Sequence, residues 1–307
     1  MLRTIHASPK VALRRLLSRA SLLFFVVLHL SCLLVVVYPP TWPLVLLAAS
    51  SYAVRMWAVT AGYHRYFAHR SFRTSRTFQF ILAFLGCTAL ENGPLWWASW
   101  HRRHHKYADT WRDSHSPRVH GLLAAHVGWV FDPKHDETDL SNVADLTRFP
   151  ELRLLERFAW VPLVGFALLC FAVAGVAGLV WGFVVSTLAL NHATFLVNSL
   201  GHVWGTRRYA TPDDSRNNVL IALLTFGEGW HNNHHFCMSS ARQGFRWWEL
   251  DLAYYGLKAL AWLRVVHDLR EPSARVLAGE GAGRGRAPPE RERRTHIHRI
   301  ERLRSSF

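Results

Sequence analysis

The stretch from Phe158 to Gly205 contains no Asp, Glu, Lys or Arg, and this constrains the fold more than any other feature. The hydrocarbon core of a bilayer is about 30 Å thick, and a helix rises about 1.5 Å per residue, so a run of this length can cross twice. Gly175, Gly178 and Gly182 lie near its middle, where a turn is needed. The stretch therefore predicts a hairpin of two membrane helices.

A second hairpin is predicted nearer the N-terminus. Ser21 to Tyr38 carries no formal charge, and Trp42 to Tyr63 is interrupted only by Arg55. The basic residues before this run resemble a signal peptide, but the run is too long and lacks a small-residue cleavage site, so we interpret it as a retained span. Two shorter apolar stretches, Thr77 to Leu90 and Leu122 to Phe131, are predicted to be interfacial or core helices.

Arginine is concentrated outside both hairpins, and neither hairpin turn carries Lys or Arg. The positive-inside rule therefore places both termini and the segment between the hairpins in the cytoplasm. The predicted organisation is a basic cytoplasmic N-terminus (1–20), a first transmembrane hairpin (21–63), a cytoplasmic segment (64–157), a second hairpin (158–202), a second cytoplasmic segment (203–277) and a basic, disordered tail (278–307). The predicted fold class is an all-α membrane protein, with four transmembrane helices in two hairpins and a cytoplasmic helical cap.

The formal net charge is +15, which in a soluble domain would suggest nucleic-acid binding. Because the long apolar runs accompany this charge, an anionic membrane surface or an acidic partner is the better interpretation, and no nucleic-acid partner is expected. The four cysteines, Cys32, Cys87, Cys170 and Cys237, form no CxxC motif and are predicted to be reduced thiols.

Three clusters of histidines stand out among 19: His64 with His69; His101, His104 and His105; and His231, His234 and His235. Positions i, i+3 and i+4 share one helix face, so each of the last two clusters is expected to converge on one point. His64 and His69 lie about 140° apart on an ideal helix, so they meet only if the helix ends or distorts between them. Asn198 and His202 have i,i+4 spacing at the end of the fourth predicted span.

All nine histidines fall on the cytoplasmic side of the predicted topology. Imidazole suits iron, copper, zinc and nickel, and nine ligands exceed the capacity of one metal. We therefore predict two metals with four or five ligands each, with Asn198 completing a shell directly or through a water. Four nearby acids either orient the imidazoles or are ordinary surface acids: Glu91, Asp109, Asp113 and Glu228. The remaining lone histidines are interpreted as structural: His6, His29, His115, His120, His126, His135, His192 and His267, with His296 and His298 solvated in the tail.

The motifs resemble those of the membrane fatty-acid desaturases, specifically the bacterial acyl-CoA Δ9 (stearoyl-CoA type) branch. The resemblance runs from about Thr60 to Trp248. It is carried by TAGYHRYFAHRSF (60–72), HRRHHKYADT (101–110), NSLGH (198–202), RRYATPDDSRNN (207–218) and GEGWHNNHH (227–235).

This resemblance implies a di-iron centre, with O₂ as co-substrate and electrons from a separate cytochrome b5 or ferredoxin with its reductase. The substrate would be a long-chain acyl-CoA or acyl lipid. The implied ligands are His64, His69, His101, His104, His105, His202, His231, His234 and His235, with Asn198 acting through a water, and no further catalytic residue is expected.

Desaturation of an unactivated methylene requires an apolar tunnel that places one C–C bond at the metals and excludes water. Thr194 and Phe195 are predicted wall positions. Trp96, Trp97 and Trp100 either line the tunnel or belong to a membrane-interface belt. Four arginines are candidates for an anionic headgroup, although lipid headgroups or an acidic electron donor would explain them equally well: Arg73, Arg76, Arg112 and Arg118.

Two other functions remain open at this stage. A hydroxylase on the same scaffold would insert oxygen into a lipid or hydrocarbon, although GEGWHNNHH favours a desaturase. A metal transporter would place its polar ligands along a path inside the spans, whereas these histidines gather at one surface.

Overall fold

The computed structural model describes residues 9–279, with side chains from residue 20 onward. The prediction of a mostly helical chain is confirmed. The α-helices are α1 Pro9–Ser31, α2 Trp42–Trp57, α3 Arg76–Cys87, α4 Pro94–Tyr107, α5 Pro117–His120, α6 Leu122–His126, α7 Ala144–Thr147, α8 Pro150–Arg157, α9 Trp160–Gly178, α10 Ser186–Asn198, α11 Val219–Leu224, α12 His231–Phe236, α13 Leu252–Trp262 and α14 Ala274–Ala278. The predicted disordered tail lies outside the described residues except for its first two positions.

Shorter elements connect these helices. Segments of 3₁₀ helix span Cys32–Val36, Gly128–Phe131, Pro133–His135, Leu140–Val143 and Leu200–His202, and π-helix spans Ala58–Ala68 and Leu179–Val185. Strands β1 (Arg73–Thr74) and β2 (Val266–His267) form an antiparallel ribbon that pairs Arg73 with His267. The ribbon joins the segment after the first histidine pair to the segment that follows α13.

Two helical stretches within the described residues are long and apolar enough to cross a membrane, Trp42–Ala68 and Trp160–His202. The stretch Ala20–Val36 is apolar but shorter. Large apolar side chains are exposed on α1 and α9, among them Leu23, Leu30, Leu168, Leu169 and Val173. Contiguous exposed apolar surface of this kind indicates contact with lipid or with another protein.

The second long stretch reverses direction at Ala174 and Gly175. Gly175 has φ +59°, a left-handed conformation that glycine adopts without steric cost. The two limbs then pack closely, because a Cβ atom on Gly182 would lie 2.9 Å from the Cys170 Sγ and the rings of Phe166 and Phe183 are 6.2 Å apart. Gly175 thus makes the turn, and Gly182 permits the close approach of the two limbs.

Helix α2 continues without a break into the π-helical segment Ala58–Ala68. The predicted boundary at residue 63, between the first hairpin and the histidine clusters, therefore falls inside a continuous helix. This segment is almost entirely buried, and a Cβ atom on Gly86 of α3 would lie 2.1 Å from the Tyr63 ring. Such close packing holds His64 rigidly relative to α3.

Three of the lone histidines tie α1 to the rest of the structure. His29 Nδ1 donates to the Phe25 carbonyl over 2.7 Å, and its Nε2 lies 2.9 Å from His192 Nε2. His192 Nδ1 in turn lies 3.1 Å from His126 Nε2. A carbonyl only accepts, so with neutral rings the donor direction is set along the whole chain: His126 donates to His192, which donates to His29. These contacts support the structural interpretation of the three residues.

Arg55, the charge that interrupts the second predicted span, is buried with 1 % of its surface exposed. Its hydrogen bonds go to neutral oxygens, including the hydroxyls of Thr187 and Ser186 at 2.7 and 2.5 Å. The guanidinium also lies 4.5 Å from the Phe166 ring centroid. Because these partners belong to the second hairpin, Arg55 joins the two hairpins through charge-assisted hydrogen bonds.

Candidate metal centre

The structure gathers all nine clustered histidines into two adjacent groups. One group contains His64, His69, His101, His105 and His234, and the other contains His104, His202, His231 and His235. Within each group the candidate ligand nitrogens lie within 4.8 Å of one another. Five and four ligands match the division expected for a two-metal site.

The first cluster meets because its helix is widened. The π-helix Ala58–Ala68 ends at His69, whose backbone N–H donates to the His64 carbonyl over 3.2 Å. An i→i+5 bond brings residues five apart onto one face, which an α-helix does not do. The two imidazole rings are consequently 4.8 Å apart. The sequence prediction that the helix must end or distort here is confirmed.

The expectation that each later cluster converges on one point is wrong. On α4, His101 and His105 belong to the group of five, whereas His104 belongs to the group of four. On α12 the assignment is reversed: His231 and His235 belong to the group of four, and His234 belongs to the group of five. On a helix, positions i+3 and i+4 lie about 60° and 40° to opposite sides of position i. Each of these helices therefore contributes to both groups and bridges them.

The short contacts between Nε2 atoms of the clustered histidines do not form a hydrogen-bonded network. His234 Nε2 lies 3.0 Å from His64 Nε2 and 2.9 Å from His105 Nε2, and His231 Nε2 lies within 3.1 Å of His202 Nε2 and His235 Nε2. A ring nitrogen has either one hydrogen or one lone pair, so it cannot satisfy two neighbours. Two imidazoles bound at right angles to one metal, with bonds of about 2.1 Å, have nitrogens about 3 Å apart. The donor set therefore fits shared metal ions.

Buried carboxylates orient four of the histidines through their Nδ1–H groups. Asp109 accepts from His202 at 2.8 Å, Asp113 from His104 at 3.0 Å and Asp213 from His235 at 3.0 Å. Glu228 contacts His64 Nδ1 in the same way. Holding the proton on Nδ1 directs the Nε2 lone pair toward the metal position.

Sequence reasoning found three of these four acids and missed Asp213. The pair Asp213–Asp214 lies within a motif that carries the family resemblance, and this was the signal available. Glu91 has a different role, since it contacts no ligand histidine and instead accepts from Thr194 Oγ1 at 2.7 Å and Trp97 Nε1 at 3.3 Å.

Three aspartates and three of the ligand histidines are held in the protonation states that suit metal binding. Burial by itself raises the pKa of Asp109, Asp113 and Asp213, but the facing imidazoles outweigh it, and each pKa lies well below the usual range. Burial, followed by repulsion from neighbouring imidazoles, holds the pKa of His101, His105 and His234 well below its usual value. Ionised carboxylates and neutral imidazoles are the forms that orient and ligate a metal.

We predict that Asp213→Asn weakens metal retention by about 10- to 100-fold, because the amide no longer offers His235 Nδ1–H a charged acceptor. Metal content after dialysis against graded chelator, measured by elemental analysis, checks this. Asp268→Asn is the matched control, because Asp268 is exposed and pairs with the exposed Arg73, away from the histidine groups. Equal metal retention in both variants would remove Asp213 from the group of orienting acids.

A narrow cavity of about 70 Å³ lies against the histidine groups. Its lining includes the predicted residues Trp96, Trp97, Trp100, Thr194 and Asn198, together with His115, Glu91, Trp129, Met56 and Val59, which sequence reasoning did not assign to a cavity. Phe195 is not in this lining and instead packs against Phe25 and His126. Thr194 and Phe195 are adjacent on α10, so their side chains point about 100° apart and only one faces the cavity.

A wider cavity of about 620 Å³ adjoins the narrow one, sharing Trp100 and Trp129. Of the four arginines predicted to bind a headgroup, Arg112 lines it. Arg76 instead makes two 2.7 Å bonds to Glu151, Arg73 pairs with Asp268 at 3.3 Å, and Arg118 pairs with Asp214 at 2.9 Å. Arg103 and Lys134, which sequence reasoning did not select, also line this cavity.

Comparison with known proteins adds an independent line of argument. Residues 40–267 match the family model described as fatty acid desaturase. An acyl-CoA C20 Δ5-desaturase from Anemone leveillei is 39% identical over 82% of this chain and 81% of its own length. A Δ9 acyl-lipid desaturase from Arabidopsis thaliana is 37% identical over 80% of this chain and 81% of its own, and an acyl-CoA 5-desaturase from A. leveillei is 39% identical over 80% and 77%.

Proposed function

The chain belongs to the fatty acid desaturase family, and from that premise we propose that it introduces a cis double bond into a long-chain fatty-acyl thioester at a di-iron centre, using O₂. Acyl-CoA with desaturation at Δ9 is the first candidate substrate. The observation that carries the proposal is the pair of histidine groups, bridged by α4 and α12 and lying against a narrow cavity. Its relatives include proteins named as acyl-CoA desaturases and proteins named as acyl-lipid desaturases.

The reaction converts –CH₂–CH₂–, O₂, two electrons and two protons into –CH=CH– and two waters. An unactivated methylene offers no charge for a general acid or base, so irons bound by the two groups would supply the oxidising power by activating O₂. Asn198 lines the cavity beside His104 and His231, where it would complete the smaller shell through a water. The aromatic walls, among them Trp96 and Trp97, would exclude bulk water from the acyl chain.

We propose that four helices in two hairpins cross the membrane, with both termini and the histidines on the cytoplasmic side. The distribution of arginine along the chain supports this orientation. The stretch Ala20–Val36 would be the first crossing, and the reversal at Gly175 would separate the last two. Electrons would come from a separate ferredoxin or cytochrome b5 with its reductase.

The proposal is tested by expressing the protein in a host that lacks unsaturated lipids and locating double bonds by mass spectrometry. We expect a cis alkene at C9 of long saturated chains. Purified protein with stearoyl-CoA, reductant and O₂ should give the oleoyl product, and saturated phospholipid provides the parallel lipid assay.

A membrane hydroxylase is the alternative, because the same metals would suit it. A hydroxy-acyl product without an alkene would establish that activity and overturn the desaturase proposal. Product analysis separates the two directly, since one product gains an oxygen atom and the other loses two hydrogen atoms.

A further inference from the structure

Two tryptophan rings that line both cavities have buried indole N–H groups with no hydrogen-bond partner within the described part of the chain. They belong to Trp100 and Trp129, and both rings line the narrow cavity and the wide one. Buried donors are nearly always satisfied in folded proteins, so two orphans at one junction require an explanation. An indole N–H only donates, which means that the missing partner is an acceptor.

The neighbouring indoles show that this lack of partners is local. Trp96 Nε1 donates to the His135 carbonyl over 2.6 Å, and Trp97 Nε1 donates to Glu91. Of the four tryptophans that line the narrow cavity, the two satisfied ones lack contact with the wide cavity, whereas the two orphans line both. The unsatisfied donors therefore belong to the two rings that lie between the cavities.

Both orphan rings are held in place by packing. Trp129 stacks on Trp96 with centroids 5.8 Å apart and an 11° interplanar angle, and its own carbonyl accepts from His135 Nδ1 at 2.7 Å. Trp100 packs edge-on against His135 at 4.7 Å. Donors fixed in this way before a ligand arrives lose little conformational entropy on binding.

The wide cavity beyond these rings has a net positive lining. Arg103, Arg112 and Lys134 line it together with Asp113 and Asp132, and Lys134 lies 3.8 Å from Asp132, so the two arginines carry the excess positive charge. Arg103 stacks on Trp100 with 5.4 Å to the ring centroid, and Arg112 stacks on Trp111 with 4.9 Å. Guanidinium groups supported by aromatic rings bind phosphate well. The two rings thus lie between a narrow cavity beside the metal ligands and a wide cavity in which two arginines are available to an anionic group.

We propose that the Trp100 and Trp129 N–H groups bind the carbonyl oxygen of the substrate's acyl thioester or ester. The acyl chain then extends along the narrow cavity to the metals, and the phosphates of the headgroup occupy the wide cavity near Arg103 and Arg112. This inference rests on the proposed function, because it requires a fatty-acyl substrate. Anchoring the carbonyl also fixes how many methylenes separate it from the metals, so Trp100 and Trp129 set the double-bond position.

The direct test compares ligands on the unchanged protein. Stearoyl-CoA has the carbonyl, and S-octadecyl-CoA, a thioether, lacks it. One hydrogen bond of about 1 kcal/mol corresponds to about fivefold in affinity, so we expect the thioester to bind about 10- to 25-fold more tightly. A second pair compares a diacyl phosphatidylglycerol, which has ester carbonyls, with a dialkyl phosphatidylglycerol, which lacks them, both in nanodiscs. The preference for the carbonyl-containing ligand should appear only in the pair that represents the natural substrate class, which distinguishes a lipid ester from a CoA thioester.

Variants of the two tryptophans test whether their N–H groups cause the preference for the carbonyl-containing ligand. In Trp100→Phe and Trp129→Phe the preference should fall about fivefold each, and in the double variant it should approach one. Double-bond positions, read by mass spectrometry, should spread to neighbouring carbons in these variants. Trp262→Phe is the matched control, because Trp262 is 84% exposed on α13 and is not among the residues that line either cavity; its preference should be unchanged.

The possible results separate this inference from the function on which it rests. Equal binding of the carbonyl and carbonyl-free ligands in both pairs would overturn the anchor while leaving desaturation intact. A preference that survives in the double variant would also overturn it, because another group would then bind the carbonyl. If the metal-loaded protein converts neither acyl substrate and binds none of the four ligands, both the anchor and the proposed function are wrong.

Discussion

Replacing His104 with alanine is expected to abolish turnover and to lower the metal content from about two ions per chain to about one. His104 belongs to the group of four, and its Nε2 has no protein partner within the described chain. Its Nδ1 is held by Asp113, so the lone pair points at the metal position. Removing it leaves three histidines, in a site that would lose both affinity and geometry.

The experiment measures product formation and metal content on the same preparation. His267→Ala is the control, because His267 is exposed on β2 and belongs to neither histidine group. Both variants should remain in the membrane fraction, since residue 104 lies outside the apolar stretches. Wild-type turnover by His104→Ala would remove this residue from the ligands and contradict the four-histidine site.

Arg65→Met is expected to destabilise the protein by about 3–5 kcal/mol, the cost of leaving buried charges without a partner. The Arg65 side chain is completely buried, bonding Glu228 at 3.2 Å and Asp251 at 2.9 Å. Burial alone raises the pKa of Glu228, and its contacts with His64 and Arg65 outweigh that effect and lower the pKa, so the carboxylate depends on both neighbours to stay ionised. Without the guanidinium, Glu228 loses part of that support and His64 loses its orientation.

Thermal and chemical unfolding of the protein in detergent measure this loss in the free energy of unfolding. Arg73→Met is the control, since Arg73 is largely exposed and its ion pair with Asp268 is expected to contribute under about 1 kcal/mol. Adding Asp251→Asn to Arg65→Met should recover part of the stability, because one stranded charge is removed. A loss below about 1 kcal/mol for Arg65→Met would contradict the view that Arg65 is the counter-ion of this buried cluster.

Local spacing predicted much of the metal centre. The i, i+3, i+4 pattern identified all six histidines of α4 and α12, and the five-residue gap between His64 and His69 predicted a distorted helix. Spacing failed on how those histidines are shared. Positions i+3 and i+4 diverge around the helix, and the elements facing each side determine which group receives which nitrogen. Those elements are far apart in sequence: His202 and His231 complete the group that takes His104.

The substrate contacts illustrate the same limit. Thr194 and Phe195 are adjacent, and only packing against α1 and α6 shows that Phe195 faces away from the cavity. Arg76 and Arg112 look equivalent in the sequence, yet one is neutralised by Glu151 across the fold and the other lines the wide cavity. A partner distant in sequence leaves no local periodicity that could predict it.

By itself, the sequence determined that this chain is mostly helical with long apolar stretches, and that it carries nine histidines with metal-ligand spacing. These properties depend on the transfer of side chains from water and on the geometry of single helices, both of which act over a few neighbouring residues. The tertiary structure alone decided the division of the histidines into five and four, the orienting role of Asp213, and the position of the Trp100 and Trp129 rings between the two cavities. Each of these depends on contacts between segments distant in sequence, where packing determines which side chains face each other.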